Sequence, residues 1–138
     1  MDFKLSIANE IIAAAGRALG GSGLLAADIA AALEIPPNTE MGDYAFPCFK
    51  LSKALHKSPM MISDALAGEI HADFLSKVES VKGYLNFFID RATYAEKVVD
   101  AVLNQGEAYG SDHSGAGKTV VLDYSSINIA KRFHIGHL

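Results

Sequence analysis

Tryptophan is absent from this chain, cysteine occurs once and proline four times. A single thiol, Cys48, excludes an internal disulfide and with it the small secreted folds that bridges hold together. No base lies near it in sequence, so it reads as a packing residue in a reducing, cytoplasmic setting. No apolar run approaches the ~18 residues that span a bilayer, so no membrane partner is expected. The opening Met1-Asp-Phe-Lys-Leu lacks the apolar segment of a signal peptide. An excess of positive charge is missing too. The net charge is −4. Residues 1–117 carry nine Lys/Arg against fifteen Asp/Glu, while residues 118–138 carry three against one. Such a balance excludes a generic nucleic-acid binder; any RNA contact must be local and shaped.

What is present suits a globular chain. Of 138 residues, 50% are hydrophobic and 20% charged, enough for one real core. Phe3, Ile7, Ile11, Ala14, Ala15 and Leu19 recur at helical spacing and stop at Gly20-Gly21. Residues 31–35 read as a strand leading into Pro36-Pro37, and Gly42-Asp-Tyr-Ala-Phe46 as its hairpin partner. Pro47 suits a helix start, with Phe49, Leu51, Leu55 and Met60 on the helical stretch beyond. Ser58-Pro59 opens another helix, with Ile62, Leu66 and Ile70 at intervals of four. Residues 74–81 and 84–89 read as strands joined by Lys82-Gly83 in a two-residue hairpin turn. A last helix over 92–104 turns Ala95, Val98, Val99, Val102 and Leu103 inward. Gly110-Ser-Asp-His-Ser-Gly-Ala-Gly117 is a linker. Lys118-Thr-Val-Val-Leu-Asp-Tyr124 then reads as a strand of the kind covered on both faces.

The expected fold is α+β: a two-layer domain with a small, mostly antiparallel sheet on helices. It is followed by a truncated first strand of a Rossmann-like domain. The expected division is a first domain over 1–110, a linker over 111–117 and a second domain that begins at 118 and is cut short.

Several constellations invite chemistry. Gly117-Lys118-Thr119 imitates the end of a phosphate-binding P-loop, but Asp112 stands where the opening glycine belongs, and the triplet precedes a strand instead of following one. Lys50, Lys53 and Lys57, spaced three and four apart, share one face of a helix; a solvated face and a phosphate contact are both open. His134 and His137 lack further ligands at metal spacing, so no metal site is expected. As phosphate ligands they make better sense, at a turn following a buried strand. Tyr84 and Asn86 share parity and so one face of their strand. An aromatic can stack on an unpaired base and an amide can read its edge. A packed sheet aromatic beside a solvent-facing amide is the plain alternative.

Ser125-Ser-Ile-Asn-Ile-Ala-Lys131, Arg132-Phe133 and His134-Ile-Gly-His137-Leu together resemble the ATP-binding HIGH segment of class I aminoacyl-tRNA synthetases. The likeness is to arginyl-tRNA synthetases, whose usual run is S-S-P-N-I-A-K-P-x-H-x-G-H-L-R. Ile127 and Arg132 replace its two prolines, which loosens the turn without removing a polar ligand. Gly42-Asp-Tyr-Ala45 with Leu51-Ser-Lys-Ala-Leu55, and Gly83-Tyr-Leu-Asn-Phe-Phe-Ile89, are similar to stretches of the same family's N-terminal domain.

The resemblance implies a ligase that activates arginine with ATP and Mg2+ and joins it to tRNA-Arg. It implies that Tyr84 and Asn86 meet the tRNA D-loop. Asp123, Ser126 and Asn128 would line the arginine pocket. Lys131, His134, Gly136 and His137 would bind ATP, with Lys131, His134 and His137 stabilising charge during adenylate formation. This chain, read as a fragment ending in mid-motif, is expected to be inactive alone and to hold no cofactor tightly. It would oligomerise only if its last strand pairs between molecules. A stand-alone RNA- or protein-interaction module is the alternative, and a nucleotide-binding fragment unrelated to tRNA a third reading.

Overall fold

The structure, a computed structural model, describes residues 2–122 together with 132, 134 and 135. The chain divides into two compact units, Met1–Asn104 and Gln105–Leu138.

The first unit is α+β, as its patterning predicts. Helix α1 (Phe3–Leu19) starts where Asp2 accepts a hydrogen bond from the Leu5 N–H, and stops at Gly20 in the left-handed conformation. It buries Ile7, Ile11, Ala14 and Ala15. Helix α2 (Ala26–Ala32) follows. The expected strand over 31–35 is therefore a correction. Five alanines in seven residues favour helix, and only Glu34 pairs, as an isolated antiparallel bridge to Ala45.

Strand β1 (Tyr44–Pro47) leads to α3 (Phe49–Leu55) and α4 (Pro59–Glu69). Pro47 ends the strand instead of opening the helix. It is buried opposite Tyr84, in a sheet position that asks no N–H of it on the outer side. Helix α4 begins as expected: Ser58 accepts from the Met61 N–H and Pro59 occupies the first turn. Strands β2 (Leu75–Val81) and β3 (Tyr84–Ile89) form the expected hairpin about Lys82-Gly83. The sheet has order β1-β3-β2 and is antiparallel throughout. On one face Leu85 and Phe87 join Ile7, Ile11, Ile62 and Leu66 in the core. The other face carries Tyr84, Asn86 and Phe88, with Lys77 5.3 Å above the Phe88 ring.

Two expectations about the C-terminal third are corrected. Helix α5 (Arg91–Gln105) forms, capped by Asp90, which accepts from the Thr93 N–H at 2.8 Å. None of its residues is buried, and Leu103 is 75% exposed. Its aromatic start does pack, with Tyr94 stacked on Phe3 at 5.8 Å. Beyond that the stripe is at most half-buried, at Val98 and Ala101, while Val99, Val102 and Leu103 are exposed. In the second unit, residues 118–122 form no strand, and Val121 is 88% exposed. A β-strand needs a paired neighbour for its backbone groups, and none is present among the described residues. The linker itself folds into turns, the Ser114 N–H donating to Asp112 and the Ala116 N–H to the His113 carbonyl.

Candidate nucleic-acid interface

The outer face of the sheet is not flat. The segment that leaves the Glu34 bridge, Ile35-Pro36-Pro37, stands over it together with Met41. Between this wall and the strands lies a cleft of about 340 Å³, lined from the sheet by Ala45 and Asn86 and at its more exposed edge by Tyr84, Val81 and Lys82. Glu34 reaches the bridge through paired bonds of 2.9 Å, its N–H to the Ala45 carbonyl and the Ala45 N–H to its own carbonyl. Two consecutive prolines hold the wall extended, because their φ is locked and the residue before a proline avoids helix.

Tyr84 and Asn86 lie where their shared parity puts them, on one face and in one cleft. Their burial reverses the plain reading. Asn86, the expected solvent-facing amide, is only 3% exposed. Tyr84, the expected packed aromatic, is 38% exposed at the rim. The Asn86 Oδ1 is buried and has no hydrogen-bond partner among the described residues. Burying an amide without a partner costs about 1–3 kcal/mol, and its neighbours Ala45 and Glu79 across the strands do not supply a bond. The arrangement is a mainly apolar cleft that Asn86 lines, its Oδ1 buried without a partner among the described residues, with an exposed tyrosine ring at the mouth. That geometry suits a flat heterocycle with a hydrogen-bonding edge.

The support behind the cleft comes from Gly42 and Asp43. Gly42 has φ +99°, and a Cβ there would lie 2.7 Å from the Phe87 carbonyl oxygen. Only glycine lets β1 approach β3 so closely. The Asp43 N–H donates to that carbonyl at 2.8 Å. Its carboxylate accepts from the Ile89 N–H at 2.8 Å and from the Arg91 guanidinium at 2.9 Å. One side chain thus ties the entry of β1 to the end of β3 and the start of α5. The Gly-Asp pair was visible in the sequence as a turn, but its tie to Arg91 spans 48 residues and has no local signal. The sequence marks Ile35-Pro36-Pro37 only as the end of an expected strand, and nothing local assigns these residues or Met41 to the wall of a cleft.

Of the segment resembling the HIGH motif, His134 is described and exposed, as are Arg132 and Ile135. Asp123, Ser126, Asn128, Lys131, Gly136 and His137 lie outside the described residues. Among the described residues no three His, Cys, Asp or Glu side chains come together as a metal site. No described helix is long and apolar enough to cross a membrane. Cys48 is buried, and burial pushes its thiol up to about 12, so it stays protonated and packs.

Residues 2–89 match the family Arginyl tRNA synthetase N terminal domain. The chain belongs to this family. Residues 98–138 match tRNA synthetases class I (R), catalytic domain. Arginine–tRNA ligase of Clostridium botulinum strain Alaska E43 is 51% identical over 106 residues, and that of Alkaliphilus metalliredigens 50% identical over 107. Both matches cover 77% of this chain, which spans 19% of the length of those relatives. Thermus thermophilus arginyl-tRNA synthetase shares the fold, with TM-score 0.52 and 24% identity over 68% of this chain and 15% of that one. The chain thus joins an arginyl-tRNA synthetase N-terminal domain to a segment of catalytic-domain type.

Proposed function

We propose that this chain is the tRNA-recognising part of a cytoplasmic arginine–tRNA ligase, and that the cleft at Tyr84 and Asn86 receives an unpaired base of the tRNA-Arg D-loop. The observation that carries this reading is one cleft lined by both an exposed tyrosine ring and Asn86, whose buried Oδ1 has no partner among the described residues. A base entering the slot gives the amide its missing bond and stacks on Tyr84, and such stacking is worth about 1–3 kcal/mol per base. In the longer enzyme, Asp123, Ser126 and Asn128 would hold arginine, the carboxylate offsetting its charge. Lys131, His134, Gly136 and His137 would meet the phosphates of ATP, which Mg2+ accompanies. His134 is exposed, as binding a phosphate requires.

The test is a titration of labelled tRNA-Arg with the wild-type chain and with the Tyr84→Ala, Asn86→Ala double variant at low salt. The double variant is expected to bind at least about tenfold more weakly, because one stacked base and one hydrogen bond are gone. Equal affinities would sink the assignment of the cleft.

A further inference from the structure

An acidic protein that binds RNA must place its few cations where the phosphates run. In residues 44–63 there are three lysines and no Asp or Glu, although residues 1–117 as a whole carry an excess of six negative charges. The fold gathers this segment at one end of the sheet. The Cys48 N–H donates to the Gly83 carbonyl at 3.0 Å, which fastens the hairpin turn to the start of α3. Gly83 also abuts α4: a Cβ on it would lie 2.9 Å from the Pro59 Cβ. Three points of the chain that are distant in sequence therefore meet at Cys48, Gly83 and Pro59.

Each has a lysine within two residues: Lys50 after Cys48, Lys82 before Gly83 and Lys57 before Pro59. Lys53 lies one helical turn beyond Lys50 on α3. The three lysines read in sequence as one helical face are corrected here. Helix α3 ends at Leu55, and His56 turns left-handed at φ 50°, so Lys57 leaves the helix and joins the junction by another route. All four lysines are exposed, and among the described residues none has a carboxylate partner. Two of the nearby acids are engaged elsewhere, and the third, Glu34, is exposed on the cleft that Lys82 edges. Asp64 accepts from the Ser80 hydroxyl at 2.6 Å and Glu79 pairs with Lys77. Lys82 itself edges the cleft beside Tyr84.

We propose that Lys50, Lys53, Lys57 and Lys82 form a cationic shelf that holds the RNA sugar-phosphate backbone flanking the base in the cleft. The inference rests on the cleft reading and deepens it: the slot selects a base, and the shelf supplies the charge that the rest of the surface lacks. Unpaired surface ammonium groups lose little on meeting phosphate, and each phosphate so neutralised releases condensed counterions. Binding carried by this shelf has a salt dependence that base insertion alone would not produce.

Three variants of the 138-residue chain test this, each titrated with tRNA-Arg over a series of salt concentrations. They are the quadruple Lys→Gln variant at 50, 53, 57 and 82, the quadruple Lys→Arg variant at the same positions, and the Tyr84→Ala, Asn86→Ala variant. The Lys→Gln variant is expected to show a plot of log affinity against log salt shallower by about 3, at roughly 0.7–0.9 for each phosphate that is no longer neutralised. Lys→Arg should keep the wild-type slope. Tyr84→Ala, Asn86→Ala should bind more weakly with the slope unchanged. A wild-type slope in the Lys→Gln variant overturns the shelf while leaving the cleft standing. So does a flattened slope in the Lys→Arg variant, which retains the charge. Unchanged affinity in the Tyr84, Asn86 variant overturns the cleft instead. Because all four lysines are exposed, the thermal midpoint of each lysine variant should match wild type, separating impaired binding from impaired folding.

Discussion

A single amide oxygen separates the two descriptions of Asn86. As a fold residue it is a liability, since its Oδ1 is buried with no partner among the described residues. As a ligand residue it is poised. Asn86→Leu, of similar size, removes the unmet group and should leave thermal stability unchanged or raise it by up to about 1 kcal/mol, while lowering tRNA affinity; a strongly destabilised variant would show that the amide serves the fold. Cys48 makes the opposite case, a buried thiol whose weak bond to the Phe46 carbonyl at 3.9 Å leaves it satisfied within the core. Its thiol titrates near 9.0 ordinarily and is pushed up to about 12 by burial. The folded state then holds a proton that the unfolded chain releases above pH 9. Stability from this group is complete below pH 9 and falls as pH rises toward 12, at up to about 1.4 kcal/mol per unit. Chemical denaturation of wild type and Cys48→Ala at pH 8 and pH 10.5 checks this: the wild type should lose more. Parity alone placed Tyr84 and Asn86 on one face. It could not tell which was buried, because burial depends on the wall at 35–37, about 50 residues away in sequence.

Among the elements, those with strong local signals formed where expected: α1 from its apolar spacing and glycine stop, α4 from Ser58-Pro59, the hairpin from Lys82-Gly83. Local alanine propensity explains the strand that did not form over 31–35; the other two failures share a different cause. The stripe of α5 and residues 118–122 are apolar segments whose fate depends on a partner. An alternating or striped pattern reports a face able to be buried, and only packing decides whether it is. The contrast is measurable. Gly42→Ala forces a Cβ to 2.7 Å from the Phe87 carbonyl at φ +99°, and should cost at least about 2 kcal/mol. Leu103→Ser, on a helix with no buried residue, should change stability by no more than about 0.5 kcal/mol in this chain. Urea denaturation of the two variants reads both values. A large destabilisation by Leu103→Ser would mean that the stripe is covered after all.

At the scale of the whole molecule, the chain pairs a self-sufficient α+β unit with a short second unit matched by a catalytic family. The first has a core of fully buried side chains from α1, α2, α4 and the sheet; the second offers exposed valines and an exposed histidine. Adenylate formation needs donors preorganised around a water-excluded phosphate, and the described residues of the motif, Arg132, His134 and Ile135, are exposed. These 138 residues, 19% of the length of their relatives, should therefore show no arginine-dependent ATP–pyrophosphate exchange; exchange above background would overturn this. The family, the fold class and the pairing of β2 with β3 were determined by sequence alone. Motifs, glycine stops and two-residue turns act over a few residues, so they can be read without knowing what lies elsewhere. The cleft, its orphaned amide, the Asp43–Arg91 tie and the meeting of Cys48, Gly83 and Pro59 were decided only in three dimensions. Each depends on the packing of segments far apart in the chain, and no local preference encodes which distant surface will arrive.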